Sequence, residues 1–363
     1  NGSVRSNDET INCAQSCQVS VVNGSPITLL AVADNGYELA QWSNQCTTSI
    51  SCQITPSGPL TISLSFKESL FDKQSNTILI TEPLGETRTN HPIQIGRPFI
   101  KGEIADFPVA VINGAPVPTQ ANVKQRYNDG SVKHAIISFV LYSLPAYSSI
   151  AVSFINQTTM SNEGMSKADM LNESMQLSAT YQFDFPEGED AVVSVTDMIN
   201  ANHYTPWLNG SIATSILVND HSAARTYDVG NDSNKSIRPM FYVTFWPTIN
   251  KYHVRYVVEN ANTMTLQDQI YNAKLTIGTP DNIVYQKDNI PHQAMSRWTI
   301  TKWSDEQILP VTINHNVSYL AKSKAIANFD TNLKVPQSVI DTDWDIWQGK
   351  AKDIYDRGLW QAA

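Results

Sequence analysis

Charged residues are scarce in this sequence, at 16% of 363 residues, and no run of 18 consecutive apolar residues occurs. The second absence excludes a transmembrane helix, which needs about 20 such residues. The motifs G-x-S-x-G and H-E-x-x-H, the P-loop and the glycine-rich dinucleotide turn are also missing, which excludes the common signatures of several enzyme classes. The formal net charge of −9 argues against nucleic-acid binding, for which a basic face is expected.

Cysteine is confined to the first 52 residues, and histidine is absent before His91. Two close pairs in a small module indicate disulfides formed in an oxidising compartment. The C-x3-C and C-x5-C spacings, without a nearby histidine, favour disulfides over a zinc site. The spacing leaves open which cysteine pairs with which. The four residues are Cys13, Cys17, Cys46 and Cys52.

Low charge with abundant Asn, Ser and Thr is typical of extracellular β proteins. The sequence begins at Asn1 rather than at a methionine, from which we expect a mature N-terminus left by removal of an export signal. We therefore predict a secreted or cell-surface bacterial protein.

Residues 1–68 show the period-two pattern of half-buried strands, most strictly at Leu60, Ile62, Leu64 and Phe66. This module resembles the bacterial repeat modules that occur in tandem on secreted and surface proteins. The resemblance rests on Gly-Tyr and Trp-Ser pairs before the second cysteine pair, within NGYELAQWSNQC. It implies a spacer or adhesive unit, in which Trp42 is expected in the core rather than as a sugar-stacking platform.

Residues 77–335 are predicted to form a β-barrel or β-sandwich region with a large antiparallel sheet. Asp129-Gly130 supplies a tight turn, because glycine adopts the positive φ that such turns need, and an apolar strand follows from Val132. Between Lys251 and Glu259 apolar and polar residues alternate, which predicts a strand with one buried and one polar face.

Residues 336–363 are predicted to form a C-terminal helix. Asp341 or Thr342 caps it, and large apolar residues recur at helical spacing, at Trp344, Trp347 and Tyr355 among others. The predicted fold class is thus mostly β: a disulfide-stapled β module, then a barrel with a large antiparallel sheet, then a helix.

From about residue 77 onward the chain resembles the exo-rhamnogalacturonan lyase-like family. The similar segments are HPIQIGRPFIKGEI, PVPTQANVKQRYNDGSVKHAIISF, RPMFYVTFWP and HQAMSRWTITKW. The resemblance implies the β-rich front part of a secreted polysaccharide lyase, in which a helical toroid follows. The sequence stops at Ala363, where the toroid is expected to begin, so a missing C-terminal helical domain is implied.

A lyase acting on a uronate needs a cation or amide to neutralise the carboxylate and a base to take the adjacent proton. The segment from Asn250 to Trp303 has six Lys/Arg against four Asp/Glu, so it is locally basic. The predicted catalytic residues are His292, Arg255, Arg297 and His253. The predicted substrate-binding residues are Lys251, Trp298, Lys302, Trp303 and His315.

A purely structural interpretation competes with this one: Arg255 and Glu259 pair along a solvated sheet face, and both tryptophans belong to the core. No cofactor and no metal are predicted. The oxygens of Asp228, Asn231 and Asp232 suit Ca²⁺, but their spacing matches no defined calcium loop.

The functional hypothesis is the β-rich part of a secreted lyase-like protein that acts on or binds an acidic polysaccharide, with β-elimination in a full-length form. Whether this chain is itself an enzyme stays open. The alternative is a non-catalytic extracellular subunit that binds glycans, adheres or self-assembles. Fold likeness does not decide between the two.

Overall fold

The computed structural model describes residues 2–6, 10–33, 37–43, 46, 51–68, 75–306 and 308–326. In this part of the chain every strand pairing is antiparallel and helices are few and short, so the predicted mostly-β class is confirmed. A short helix lies near the C-terminal end of the described residues. The helix predicted within 336–363 falls outside them.

The N-terminal module consists of two small sheets and two disulfides. A four-stranded sheet has the order β2-β1-β3-β5, and β4 pairs with β6. Cys13 bonds to Cys17 and Cys46 to Cys52, which confirms that the cysteines form disulfides. Trp42 is buried in the small core, as expected. The strands are β1 Gly2–Ser6, β2 Asn12–Cys13, β3 Ile27–Ala33, β4 Tyr37–Trp42, β5 Ser51–Ile54 and β6 Leu64–Glu68.

A first sandwich follows, in which a five-stranded sheet (β10-β9-β13-β7-β23) faces a three-stranded sheet (β11-β12-β8) around one apolar core. The predicted turn at Gly130 is present, with φ of 87°, and the Asp129 carboxylate accepts hydrogen bonds from Ser131. The strands are β7 Ile78–Thr81, β8 Arg88–Pro98, β9 Phe107–Ile112, β10 Ala115–Pro116, β11 Thr119–Arg126, β12 Val132–Leu144, β13 Ser149–Gln157 and, much later, β23 Thr312–His315.

A second sandwich is inserted between β13 and β23. Its four-stranded sheet (β15-β14-β20-β21) packs on a five-stranded sheet (β16-β17-β18-β19-β22) across a core rich in tyrosine and phenylalanine. The elements are α1 Lys167–Met170, β14 Ala179–Asp184, β15 Ala191–Ser194, α2 Val195–Asn200, β16 Tyr204–Leu208, β17 Thr214–Val218, β18 Ile237–Trp246, a 3-10 helix Pro247–Ile249, β19 Lys251–Asn260, β20 Gln269–Ile277, β21 Thr279–His292 and β22 Arg297–Trp303. Helix α3, Val317–Lys322, follows β23.

One buried amide joins the two sandwiches. Gln120 on β11 accepts hydrogen bonds from the N–H groups of Ile212 and Ala213, and donates one to the carbonyl of Ala213. A small apolar cluster that includes Val140 and Trp246 lies beside this joint. Backbone groups of one sandwich are thereby satisfied by a side chain of the other, which fixes how the two meet at this joint. The domain boundaries at residues 68 and 335 stay a prediction.

Candidate functional site

Five of the nine predicted site residues lie on one face of the five-stranded sheet of the second sandwich. On β19 the even-numbered residues from Tyr252 to Val258 point into the core, so the odd-numbered ones point outward. We call this side the outer face. Strand register places His253 opposite Trp303, and Glu259 opposite Arg297. The five residues are Lys251, His253, Arg255, Arg297 and Trp303.

Arg255 is an exposed cation of the outer face, and it lies beside an aromatic ring. Its guanidinium carbon is 4.1 Å from the centroid of the Tyr242 ring, the residue opposite it on β18. Among the residues that the structure describes, no carboxylate pairs with Arg255. The ring holds the guanidinium by a cation–π contact while its donors stay open to a ligand.

His253 and Trp303 form an aromatic pair next to Arg255. Their ring centroids are 4.7 Å apart. Burial, together with the charge of Arg255, lowers the pKa of His253 to about 4. The imidazole is therefore neutral at physiological pH and adds a flat polar ring, not a second charge, to this surface.

The other cations of the outer face, Arg238 included, are already paired with carboxylates. Arg297 donates two hydrogen bonds to the carboxylate of Glu259. Lys251 Nζ lies 2.8 Å from Asp305. Glu259 thus pairs with Arg297. The structural interpretation had paired Glu259 with Arg255, whose guanidinium is left to interact elsewhere.

His292, a predicted catalytic residue, is sealed inside the second sandwich at 2% exposure. Its Nδ1 lies 2.8 Å from the hydroxyl of Tyr271, and its Nε2 lies 3.1 Å from the carbonyl oxygen of Ser296. Trp298 donates to the same Tyr271 hydroxyl and packs against the core. Burial lowers the pKa of His292. His292 and Trp298 therefore both hydrogen-bond to the Tyr271 hydroxyl inside the sandwich. Neither side chain reaches the outer face.

Lys302 and His315 also lie apart from the outer face. Lys302 pairs opposite Val254, a core residue, so it emerges on the other side of β22. His315 is on β23 of the first sandwich, where Nη1 of the buried Arg97 lies 3.2 Å from its Nδ1. Burial and the neighbouring Arg97 charge lower the pKa of His315.

Tyr242 belongs to the outer face although the sequence did not single it out. The alternation in RPMFYVTFW places it on the polar side of β18, away from the core residues Phe241 and Val243. The alternation in the sequence was therefore enough to place Tyr242 on this face. The sequence could not show that Tyr242 pairs with Arg255, because that pairing depends on the register between two strands.

A cleft of about 760 Å³ opens where the two sandwiches meet, next to Lys251. Its two cations, Arg88 and Lys251, are both bound to carboxylates of Glu82, Glu86 and Asp305. Because Glu306 adds a further negative charge to its lining, the cleft is a poor site for an anionic ligand.

The acidic loop considered for Ca²⁺ is occupied by internal contacts. Asp228 pairs with Arg225 and Arg238, and Asp232 accepts hydrogen bonds from Gln269 and Ser236. Within the described ranges, no group of three or more His, Cys, Asp or Glu residues is arranged to hold a metal ion. None of the helices in the same part of the chain has the length and apolar character of a membrane span.

One family model matches the N-terminal module. Residues 5–69 match the divergent InlB B-repeat domain, a bacterial repeat family, which supports the resemblance inferred from the sequence. Such a repeat and the two disulfides are compatible with a secreted or surface location. No curated protein matches the chain.

One solved structure resembles the chain weakly. An α-mannosidase from Enterococcus faecalis V583 aligns with 55% of this chain and 31% of its own length, at 8% identity and a TM-score of 0.28. The chain thus spans less than a third of that protein, and a likeness this low carries no argument about fold or function. None of these comparisons supports the exo-rhamnogalacturonan lyase-like family.

Proposed function

We propose that this chain is part of a bacterial surface or secreted protein that binds an acidic polysaccharide on the outer face and does not cleave it. The observation that carries the proposal is Arg255, an exposed guanidinium with no carboxylate partner among the described residues. A guanidinium presents parallel N–H donors that match both oxygens of a carboxylate, which is the geometry that a uronate offers.

The surroundings of Arg255 suit a sugar chain. Tyr242, His253 and Trp303 place half-buried aromatic rings beside Arg255, against which a pyranose can pack. Thr301 lies directly opposite Arg255 on β22 and offers a hydroxyl that both donates and accepts. A surface with one open cation, rings and hydroxyls selects an uncrowded carboxylate on a sugar over a dense polyanion.

A catalytic role finds less support, because neither of the two histidines predicted to be catalytic suits a general base beside Arg255. A general base works best with a pKa near the working pH, whereas His253 has a pKa of about 4. His292 is enclosed by Tyr271 and Ser296 and has no path to a ligand on the outer face. β-Elimination by a longer form of the protein stays a prediction from the resemblance alone.

Self-assembly through a sheet edge is also less favoured. The longest edge strand described is β21, with 14 residues. It carries Pro280, Pro291 and the charged Asp281, Lys287 and Asp288, and its pairing with β20 is interrupted by bulges. Prolines, charges and bulges are features that keep edges from pairing with further strands.

Isothermal titration calorimetry with polygalacturonate and alginate, and with neutral dextran as the comparison glycan, tests the proposal. We expect the native chain to bind an acidic polymer and Arg255→Ala to weaken binding roughly ten- to hundredfold, the loss of one charge-assisted contact. Lys287→Ala, which removes an exposed cation from β21, is the matched control and retains affinity. The ultraviolet absorbance of unsaturated products, followed in the same samples, stays flat.

Equal affinity of the native chain and Arg255→Ala for both acidic polymers would overturn the binding proposal. A steady rise in absorbance that depends on Arg255 would show that the chain is a lyase after all.

A further inference from the structure

Two β-bulges on two different sheets bring a tryptophan and a lysine together. On β16 the pairing with β17 shifts between Pro206 and Leu208, which leaves Trp207 as the extra residue. On β11 the pairing with β12 shifts between Val123 and Gln125, which leaves Lys124 as the extra residue. Both strands are sheet edges, where bulges commonly re-aim a side chain.

The two extra residues contact one another across the seam between the sandwiches. Lys124 Nζ lies 4.1 Å from the centroid of a Trp207 ring and donates a 3.2 Å hydrogen bond to the Trp207 carbonyl. Trp207 is nevertheless 60% exposed. A ring covered on one side by Lys124 and still this exposed presents its other side to solvent. The lysine thus fixes the indole in place and leaves one flat apolar surface free.

Strand register connects this ring to Arg255. Thr205 on β16 is opposite Leu217, Leu217 is opposite Tyr242, and Tyr242 is opposite Arg255. These four residues form one continuous row across the outer face, and each of them is at least partly exposed. Trp207 lies two residues along β16 from the end of this row.

The length of the row follows from sheet geometry. Three strand spacings of about 4.8 Å give roughly 14 Å across the sheet, and two residues along a strand add about 7 Å in the perpendicular direction. Arg255 and Trp207 are therefore roughly 16 Å apart. A sugar chain longer than a disaccharide spans this distance.

We infer that Trp207, held by Lys124, is a second contact point for the acidic polysaccharide, and that the sugar chain runs across the strands from Arg255 past Tyr242 to Trp207. This inference rests on the proposed function. Arg255 takes the carboxylate of one sugar, and Trp207 stacks on the apolar face of another sugar further along the same chain. Lys124 adds positive charge beside that second sugar, which favours a chain with carboxylates at regular intervals.

Size-defined oligogalacturonates and oligomannuronates, from dimers to pentamers, test this track by titration calorimetry. For the native chain we expect affinity to rise about tenfold once the oligomer is long enough to reach both points, and to level off beyond that length. Trp207→Ala removes this rise and leaves the affinity for dimers unchanged, whereas Trp207→Tyr, which keeps a ring, retains most of it. Val192→Ala, another exposed apolar residue but on β15 of the opposite sheet, is the control and changes nothing.

Three results overturn parts of the argument in different ways. If Trp207→Ala binds every length as the native chain does while Arg255→Ala fails to bind, the track is wrong and the proposed function stands. If affinity does not depend on length in the native chain, the track is again wrong. If no oligomer or polymer binds the native chain, the proposed function itself fails and the track with it.

Discussion

Glu82 is the buried anion on which the connection between β7 and β8 depends, and its replacement by glutamine gives the sharpest test of the first sandwich. Glu82 has no exposed surface, and its carboxylate accepts hydrogen bonds from the N–H groups of Leu84, Gly85 and Tyr147. It also accepts a 2.6 Å hydrogen bond from Arg88, which is itself only 4% exposed. Burial alone would raise the pKa of Glu82, but these donors and the Arg88 charge outweigh it, so the pKa is lowered.

Glu82→Gln keeps the size of the side chain but removes its charge. The new amide points N–H groups at backbone N–H groups, and the Arg88 guanidinium stays buried without its ion pair. Removing one partner of a buried ion pair costs about 3–5 kcal/mol. We expect a loss of about 3 kcal/mol, because glutamine retains one acceptor oxygen. The measurement is the urea midpoint of the transition that reports on the first sandwich, followed by circular dichroism.

Glu86→Gln is the matched control, since Glu86 contacts the same arginine at 3.3 Å but its side chain is 66% exposed. It is expected to cost no more than about 0.5 kcal/mol. The pH dependence has a definite sign. Because the folded pKa of Glu82 is lowered, its contribution is complete above the ordinary carboxyl pKa of about 4.3 and is lost as the pH falls through the folded value. The difference between the native chain and Glu82→Gln therefore shrinks in acid. A loss below about 1 kcal/mol at pH 7, or an equal loss in Glu86→Gln, would refute this reasoning.

Three further predictions concern other parts of the chain. The pKa values of His91 and His253 are both lowered to about 4, so stability is complete above the ordinary histidine pKa of about 6.5 and falls as the pH is lowered towards 4. Because His91 remains, His253→Gln should reduce but not abolish the fall of the urea midpoint between pH 6.5 and 5, and an unchanged slope would contradict this prediction. Tyr271→Phe leaves His292 and Trp298 without their shared hydroxyl and should cost about 1–3 kcal/mol. Tyr285→Phe, whose hydroxyl makes no hydrogen bond within the described part of the chain, should cost little, and equal costs would show that the network adds nothing. The cysteines of the two disulfides are only 4 and 6 positions apart, so reduction should cost about 2 kcal/mol per bridge in the N-terminal module. The urea transitions of both sandwiches should stay in place. A shift in either transition would show that the bridges stabilise more than the module.

Local pattern alone predicted much of the fold. Alternation between Lys251 and Glu259 identified both faces of β19, because the side-chain period of a strand is fixed by backbone geometry. Asp129-Gly130 identified a turn because only particular residues tolerate its backbone angles. The confinement of cysteine to one short module indicated disulfides there before any pairing was known.

The candidate site was predicted only in part, and the reason is again geometric. Trp298 and Trp303 are five residues apart on one strand, so an odd separation places them on opposite faces, and this much the sequence contained. The sequence could not show that His292 is buried against Tyr271, since the two residues meet through the pairing of β20 with β21. Likewise, Glu259 pairs across strands with Arg297 rather than along its own strand with Arg255.

The sequence by itself therefore determined which segments are strands, which of their faces are apolar and where the disulfides lie, because each of these follows from neighbours in the chain. The tertiary structure alone decided the order of the strands and the positions of the bulges. Those two features align Thr205, Leu217, Tyr242 and Arg255 in one row and bring Trp207 to Lys124. They depend on how the sheets pack around each core and on how the two sandwiches meet, and that is a property of distant segments acting together.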